Sequence, residues 1–160
     1  IQDVRRAFEA PDMPFVIGVL GVGGATKLYE TTRYKGIHQH FRDAMAAPAN
    51  DPDLKDKVKA VLTEEFWPYD VGQVANKYYA FKKEAKEAAR QAQEENPGRK
   101  SEFNWQWQKA YVDDKVEQEL TAEERLALSG MSNVGFHYMG ALKFFALAGE
   151  AFARAVVACE

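Results

Sequence analysis

Phe15-Val16-Ile17-Gly18-Val19-Leu20-Gly21-Val22-Gly23-Gly24 is a short apolar run that empties into a glycine-rich turn. A continuous apolar run of this length suits a parallel strand covered on both faces. The glycines after it let the backbone take positive φ or come close to a ligand. Val58-Lys59-Ala60-Val61-Leu62-Thr63 reads as a second strand. Between them, Ile37, Phe41, Ala44 and Met45 recur at spacings of three and four, which predicts a helix from about Tyr34 to Ala47. Strand, helix, strand is the pattern of a parallel sheet with crossover connections, hence an α/β class. Two strands make a thin sheet. Residues 1–160 are therefore expected to form a single partial domain, part of a larger unit.

The chain opens on Ile1-Gln2-Asp3-Val4-Arg5-Arg6, with Val4 and Phe8 one helical turn apart. This is the interior of an amphipathic helix without the apolar core of a signal peptide, as expected of a processed fragment. Pro11 and Pro14 break that helix, and the polar stretch from Ala25 to Arg33 reads as a loop.

Beyond Trp67-Pro68 the chain turns helical. Val71 to Glu95 has helical periodicity, with a solvated, charge-rich face from Lys82 to Glu95, and stops at Asn96-Pro97-Gly98; residues 82–120 read as a helical insertion. Trp105 and Trp107 stand two apart, so on a helix one turns inward and the other meets a surface or groove. Thr121-Ala122-Glu123-Glu124 is a capping box opening a helix that ends near Ser129-Gly130. A last helix from Gly140 to Ala158 is expected to bury Leu142, Phe145, Ala146, Gly149 and Phe152.

With 46% hydrophobic and 28% charged residues, the composition is that of a folded chain rather than a disordered one. The net charge of −3 comes from interspersed acids and bases, which argues against nucleic acid as a partner. No apolar stretch reaches the roughly 18 residues of a membrane span. The single cysteine, Cys159, excludes an internal disulfide and a cysteine metal cluster.

The glycine run lacks an immediately following helix and a Lys-Ser/Thr pair, so a nucleotide site is not expected. His38 and His40 would point about 200° apart on a helix, so no metal is expected either. That leaves Ser132-Asn133-Val134-Gly135-Phe136-His137-Tyr138-Met139-Gly140, a histidine between aromatics just ahead of the last helix. A loop in that position gives an imidazole access to substrate while the helix behind holds it, as a general base requires. None of Ser101, Ser129 and Ser132 lies in a nucleophile elbow, so the chain offers a base without its nucleophile.

Taken in order, these blocks resemble the sialate O-acetylesterase-like branch of the SGNH (GDSL-type) hydrolases. The resemblance runs through Pro14–Gly24, Phe41-Arg42-x-Ala44-Met45-Ala46-Ala47-Pro48, Val61-Leu62-Thr63-x-x-Phe66-Trp67 and the closing Ser132–Gly140 block. It implies the C-terminal portion of a helix-rich, three-layer α/β/α (flavodoxin-like) domain, a serine-type carbohydrate O-acetylesterase without metal or cofactor, secreted or periplasmic. By the same resemblance His137 would be the general base and Gly23, Gly24 and Trp67 would contact the acetylated carbohydrate. The acid that commonly precedes the family's histidine is replaced by Val134, so Asn133 or a carboxylate elsewhere is the candidate to orient the imidazole. The nucleophile would come from an N-terminal segment or a partner chain. Two other functions remain open: a non-catalytic structural or glycan-binding module of the same fold, and an unrelated small helical adaptor.

Overall fold

Apolar character and a matched length pair the two expected strands. In the computed structural model, which describes residues 1–29, 32–54 and 56–159, β1 (Phe15–Val19) runs parallel to β2 (Val58–Leu62). The register sets Phe15 opposite Val58, Gly18 opposite Val61 and Val19 opposite Leu62. Of the described residues 69% are helical, so the class is mixed α/β with helices predominating. It divides into two compact units, one of residues 1–68 with 135–160 and one of residues 69–134. Residues 82–120 fall within the second.

In the first unit the helices are α1 (Gln2–Ala7), α2 (Lys35–Ala46) and α6 (Leu142–Val157). The Ala25–Arg33 stretch carries a 3-10 turn at Thr26–Leu28, while Glu30 and Thr31 lie outside the described residues. Arg5 of α1 is buried and closes the N-terminal end of the sheet. Its guanidinium donates to the Met13 and Lys57 carbonyls and lies over the Phe15 ring. At the same end Lys57 Nζ donates to the Cys159 carbonyl at 2.7 Å, tying the end of α6 to the start of β2.

Helix α6 packs against both strands, but of the face its sequence pattern suggests only Phe152 takes part. Ala141, Phe144 and Ala148 are buried, and the Phe152 ring covers Gly18. Leu142 is 80% exposed and Phe145 54%, with Ala146 and Gly149 also exposed. The helix is apolar nearly all round, so periodicity alone could not choose between two overlapping stripes. Helix α2 shows a related departure: Ile37 is 64% exposed and Phe41 52%, while the charged Arg42 is the buried residue.

The second unit is a helical hairpin with a short third helix. Here α3 (Tyr69–Glu95) and α4 (Trp105–Glu119) are joined through a 3-10 segment at Pro97–Glu102, and α5 (Ala122–Ser129) follows. Val74, Tyr78, Phe81 and Ala85 recur at threes and fours along α3 and pack with Val112, Val116, Leu120 and Leu128. The outer faces carry ion pairs one turn apart, such as Arg90 with Glu94 and Lys109 with Asp113. The capping box of α5 is complete: Thr121 Oγ1 accepts the Glu124 amide, and Glu124 Oε2 accepts the Thr121 amide. Among the described residues no helix is long and apolar enough to cross a membrane.

Candidate active site at the C-terminal ends of the strands

Parallel strands of an open α/β sheet deliver their following loops to one edge, where such folds bind ligands. Here that edge receives the glycine turn after β1, a 3-10 turn at Thr63–Phe66 after β2, and the histidine segment Gly135–Gly140. The glycine turn is drawn in tightly. Gly21 is buried against Glu64, and Gly24 N donates to Gly21 O at 2.9 Å. Gly23 and Gly24 both take left-handed φ, of 86° and 75°.

Arg42 holds this turn from α2. Its guanidinium donates to the carbonyls of Leu20 (2.9 Å), Gly24 (2.8 Å) and Val22 (3.0 Å), and it pairs with Glu64. Tyr29 Oη also receives Arg42 and donates to the Val22 carbonyl. A planar fork with donors on three sides suits such a cluster of carbonyls in a way an ammonium does not. The buried charge is offset by the Glu64 carboxylate and by the carbonyl dipoles.

Tyr138 anchors the histidine segment to the same edge. Gly21 N donates to Tyr138 Oη at 2.9 Å, and Tyr138 Oη lies 2.9 Å from Thr63 Oγ1. The Thr63 hydroxyl spends its single proton on the Val19 carbonyl at 2.6 Å. Tyr138 must therefore donate to Thr63, giving a one-way relay from Gly21 N–H through two hydroxyls to Val19 C=O. The relay joins the ends of both strands to the residue after His137. The Tyr138 ring stacks on Phe144 with centroids 3.7 Å apart, and the Trp67 ring lies tilted against Tyr138 at 5.8 Å.

Around this anchor the backbone is strained. Tyr138, Met139 and Gly140 take φ of 52°, 57° and 61° in succession. Left-handed backbone costs a non-glycine residue roughly 1–2 kcal/mol. Burial of Met139, 1% exposed, and the Tyr138 relay offset that cost. His137 itself is exposed at the front of the segment, its ring edge-to-face with Phe136 at 4.4 Å.

The sequence-derived candidates separate as follows. His137, Gly23, Gly24 and Trp67 belong to the first unit, and Trp67 meets the Tyr138 ring directly. Asn133 belongs to the second unit, where its Oδ1 accepts the Val134 amide at 2.8 Å. Ser101, Ser129 and Ser132 are in that unit too, and Ser129 Oγ donates to the Leu126 carbonyl. His38 is held on α2 by Tyr29 Oη, 3.0 Å from its Nδ1, and by stacking on Tyr34. Among the described residues no three potential metal ligands converge. Sequence reasoning passed over Arg42, Thr63 and Tyr138 as site-forming residues. For Tyr138 the available signal was a glycine two residues on; Arg42 stands one turn from His38 and Gln39, on the polar side of α2, and gave none.

Comparison of the chain with protein-family models, with curated proteins and with solved structures gave no match.

Proposed function

We propose that this chain is the histidine-bearing part of a serine-type carbohydrate O-acetylesterase built on a three-layer α/β/α plan. The observation that carries the reading is the exposed His137, one residue from an anchor that joins the ends of two parallel strands. A general base needs solvent and substrate access together with a fixed backbone, and this segment supplies both.

In the proposed reaction His137 takes the proton of a serine hydroxyl as its oxygen attacks the acetyl carbonyl. The imidazolium then returns that proton to the departing sugar oxygen, leaving an acetyl-serine. Water, activated by the same imidazole, releases acetate and restores the serine. Gly23, exposed and left-handed, presents backbone to the substrate. Gly24 keeps the turn closed through its amide bond to Gly21, and Trp67 with Tyr138 forms the apolar wall beside it.

The serine is contributed by a polypeptide segment that extends the sheet. Among the described residues each strand of the β1–β2 pair has one unpaired edge, and the two helices that pack on these strands carry exposed apolar residues, Ile37 and Phe41 on α2 and Leu142 and Phe145 on α6. Further parallel strands with their own flanking helices would cover edges and stripes together.

The test is acetate release from an acetylated xylo-oligosaccharide by native material retaining all its polypeptide partners. His137→Ala is expected to abolish turnover with the melting temperature nearly unchanged. Full activity in that variant removes His137 from the chemistry. Absence of turnover in the complete native assembly leaves the non-catalytic glycan-binding module, which an exposed tryptophan in the second unit favours.

A further inference from the structure

In the second unit, α3 and α4 enclose a groove of about 420 Å³, within the roughly 300–1,000 Å³ of small-molecule sites. Its floor is Ala85 and Val112, and its rim is Tyr78, Lys82, Trp105, Gln108, Lys109 and Asp113. Trp105 is 69% exposed, whereas Trp107 packs between Phe103 and Tyr111. An exposed indole costs solvation that a ligand's apolar ring face recovers. The backbone that carries the indole is also fixed in place. Trp105 is the first residue of α4, and the Asn104 side chain caps that helix by accepting the Gln106 and Trp107 amides.

The charge around the groove is opposite in sign to that of the chain, whose net charge is −3. Lys82 Nζ lies over the Tyr78 ring, and Lys109 Nζ is 2.5 Å from Asp113. Gln108 is shared with a second hollow of about 480 Å³ lined by Lys83, Lys86, Arg90, Gln93 and Glu87. Cations therefore outnumber carboxylates along both hollows, with amide side chains between them. An aromatic face, amide hydrogen-bonding groups and spaced ammonium groups match a pyranose chain that carries carboxylates.

We propose that this groove binds an acidic oligosaccharide, with one sugar ring stacked on Trp105 and its carboxylates on Lys82 and the Lys86 side of the second hollow. The assignment deepens the carbohydrate reading above and rests on it for the class of ligand. Binding is read without hydrolysis, so failure of the groove and failure of the esterase centre are separate results.

The experiment is calorimetric and tryptophan-fluorescence titration of the whole chain with tetragalacturonate, with xylotetraose and a thymidine octanucleotide as comparisons. Tetragalacturonate is expected to bind and shift the indole emission, with xylotetraose at least about tenfold weaker. Trp105→Ala is expected to weaken tetragalacturonate by about tenfold or more, and Trp105→Phe to retain most of the binding. Lys82→Gln combined with Lys86→Gln is expected to remove the preference over xylotetraose while far-ultraviolet circular dichroism stays unchanged. Equal binding by Trp105→Ala and the parent overturns the proposal. So does binding of the octanucleotide in place of tetragalacturonate, or binding of neither.

Discussion

The backbone of Gly21 passes so close to that of Glu64 that a β-carbon on Gly21 would fall 2.0 Å from the Glu64 nitrogen. The neighbour is main chain, so it cannot swing aside as a side-chain tip would. Gly21→Ala is expected to cost more than the ~1–3 kcal/mol of ordinary overpacking. A large drop in thermal midpoint, read by circular dichroism, would show it. Gly36→Ala, where nothing lies within 4 Å, is the control and is expected to hold or raise stability slightly.

Tyr138→Phe keeps the ring on Phe144 and removes only the hydroxyl. Two bonds of the relay go with it, and the Gly21 amide is left buried without that acceptor. A buried unsatisfied donor costs about 1–3 kcal/mol. The expected result is a loss of stability in that range with a larger fractional loss of acetate release, because the His137 backbone loses its tether. Retained activity at reduced stability would show that the tether serves folding alone.

Much of this was readable from the residues, and the failures have physical causes. The two strands, the capping box and the ends of the long helices follow from local chemistry: β-branched runs, Thr121 with Glu124, and Asn96-Pro97-Gly98. The buried stripe of α6 did not, because Leu142 and Phe145 are as apolar as Phe144 and Ala148, and only tertiary packing chooses between them. Arg42 escaped for a related reason: a charged residue on an amphipathic helix reads as solvated unless carbonyls from a distant turn converge on it. The left-handed Tyr138 and Met139 have no sequence signature, since neither residue type favours that backbone.

The exposed stripe of α6 gives a prediction about assembly. Leu142→Lys with Phe145→Lys changes residues that are solvent-facing in the first unit, so the melting temperature of the chain is expected to move little. Association with the segment proposed to complete the sheet is expected to fall by an order of magnitude or more, since burying a lysine in an apolar contact is costly. Pull-down of the proposed nucleophile-bearing segment by parent and double variant distinguishes the outcomes. Undiminished capture would place the contact elsewhere.

Acid is expected to loosen the capping of α5. The Lys77 ammonium, 2.5 Å away, and then the Thr121 amide hold the Glu124 carboxyl below the usual glutamate range. A carboxyl lowered in the folded state stabilises fully above its unfolded value and ceases to do so as pH falls through the lowered one. Melting curves from pH 7 down to 3 are expected to fall more steeply for the parent than for Glu124→Gln, which cannot titrate. Parallel curves would remove Glu124 from the acid response. At neutral pH, Thr121→Ala is expected to cost about 1 kcal/mol through the lost cap.

Cys159 is 3% exposed, its thiol directed to the Ala155 carbonyl and its own carbonyl clasped by Lys57. With one sulfur in the sequence's cysteine complement, a maleimide has a single address, and it can react only when the final turn unravels. The labelling rate is thus a stopwatch for fraying at that end, readable by mass spectrometry without substrate or partner. Lys57→Met should make it run faster.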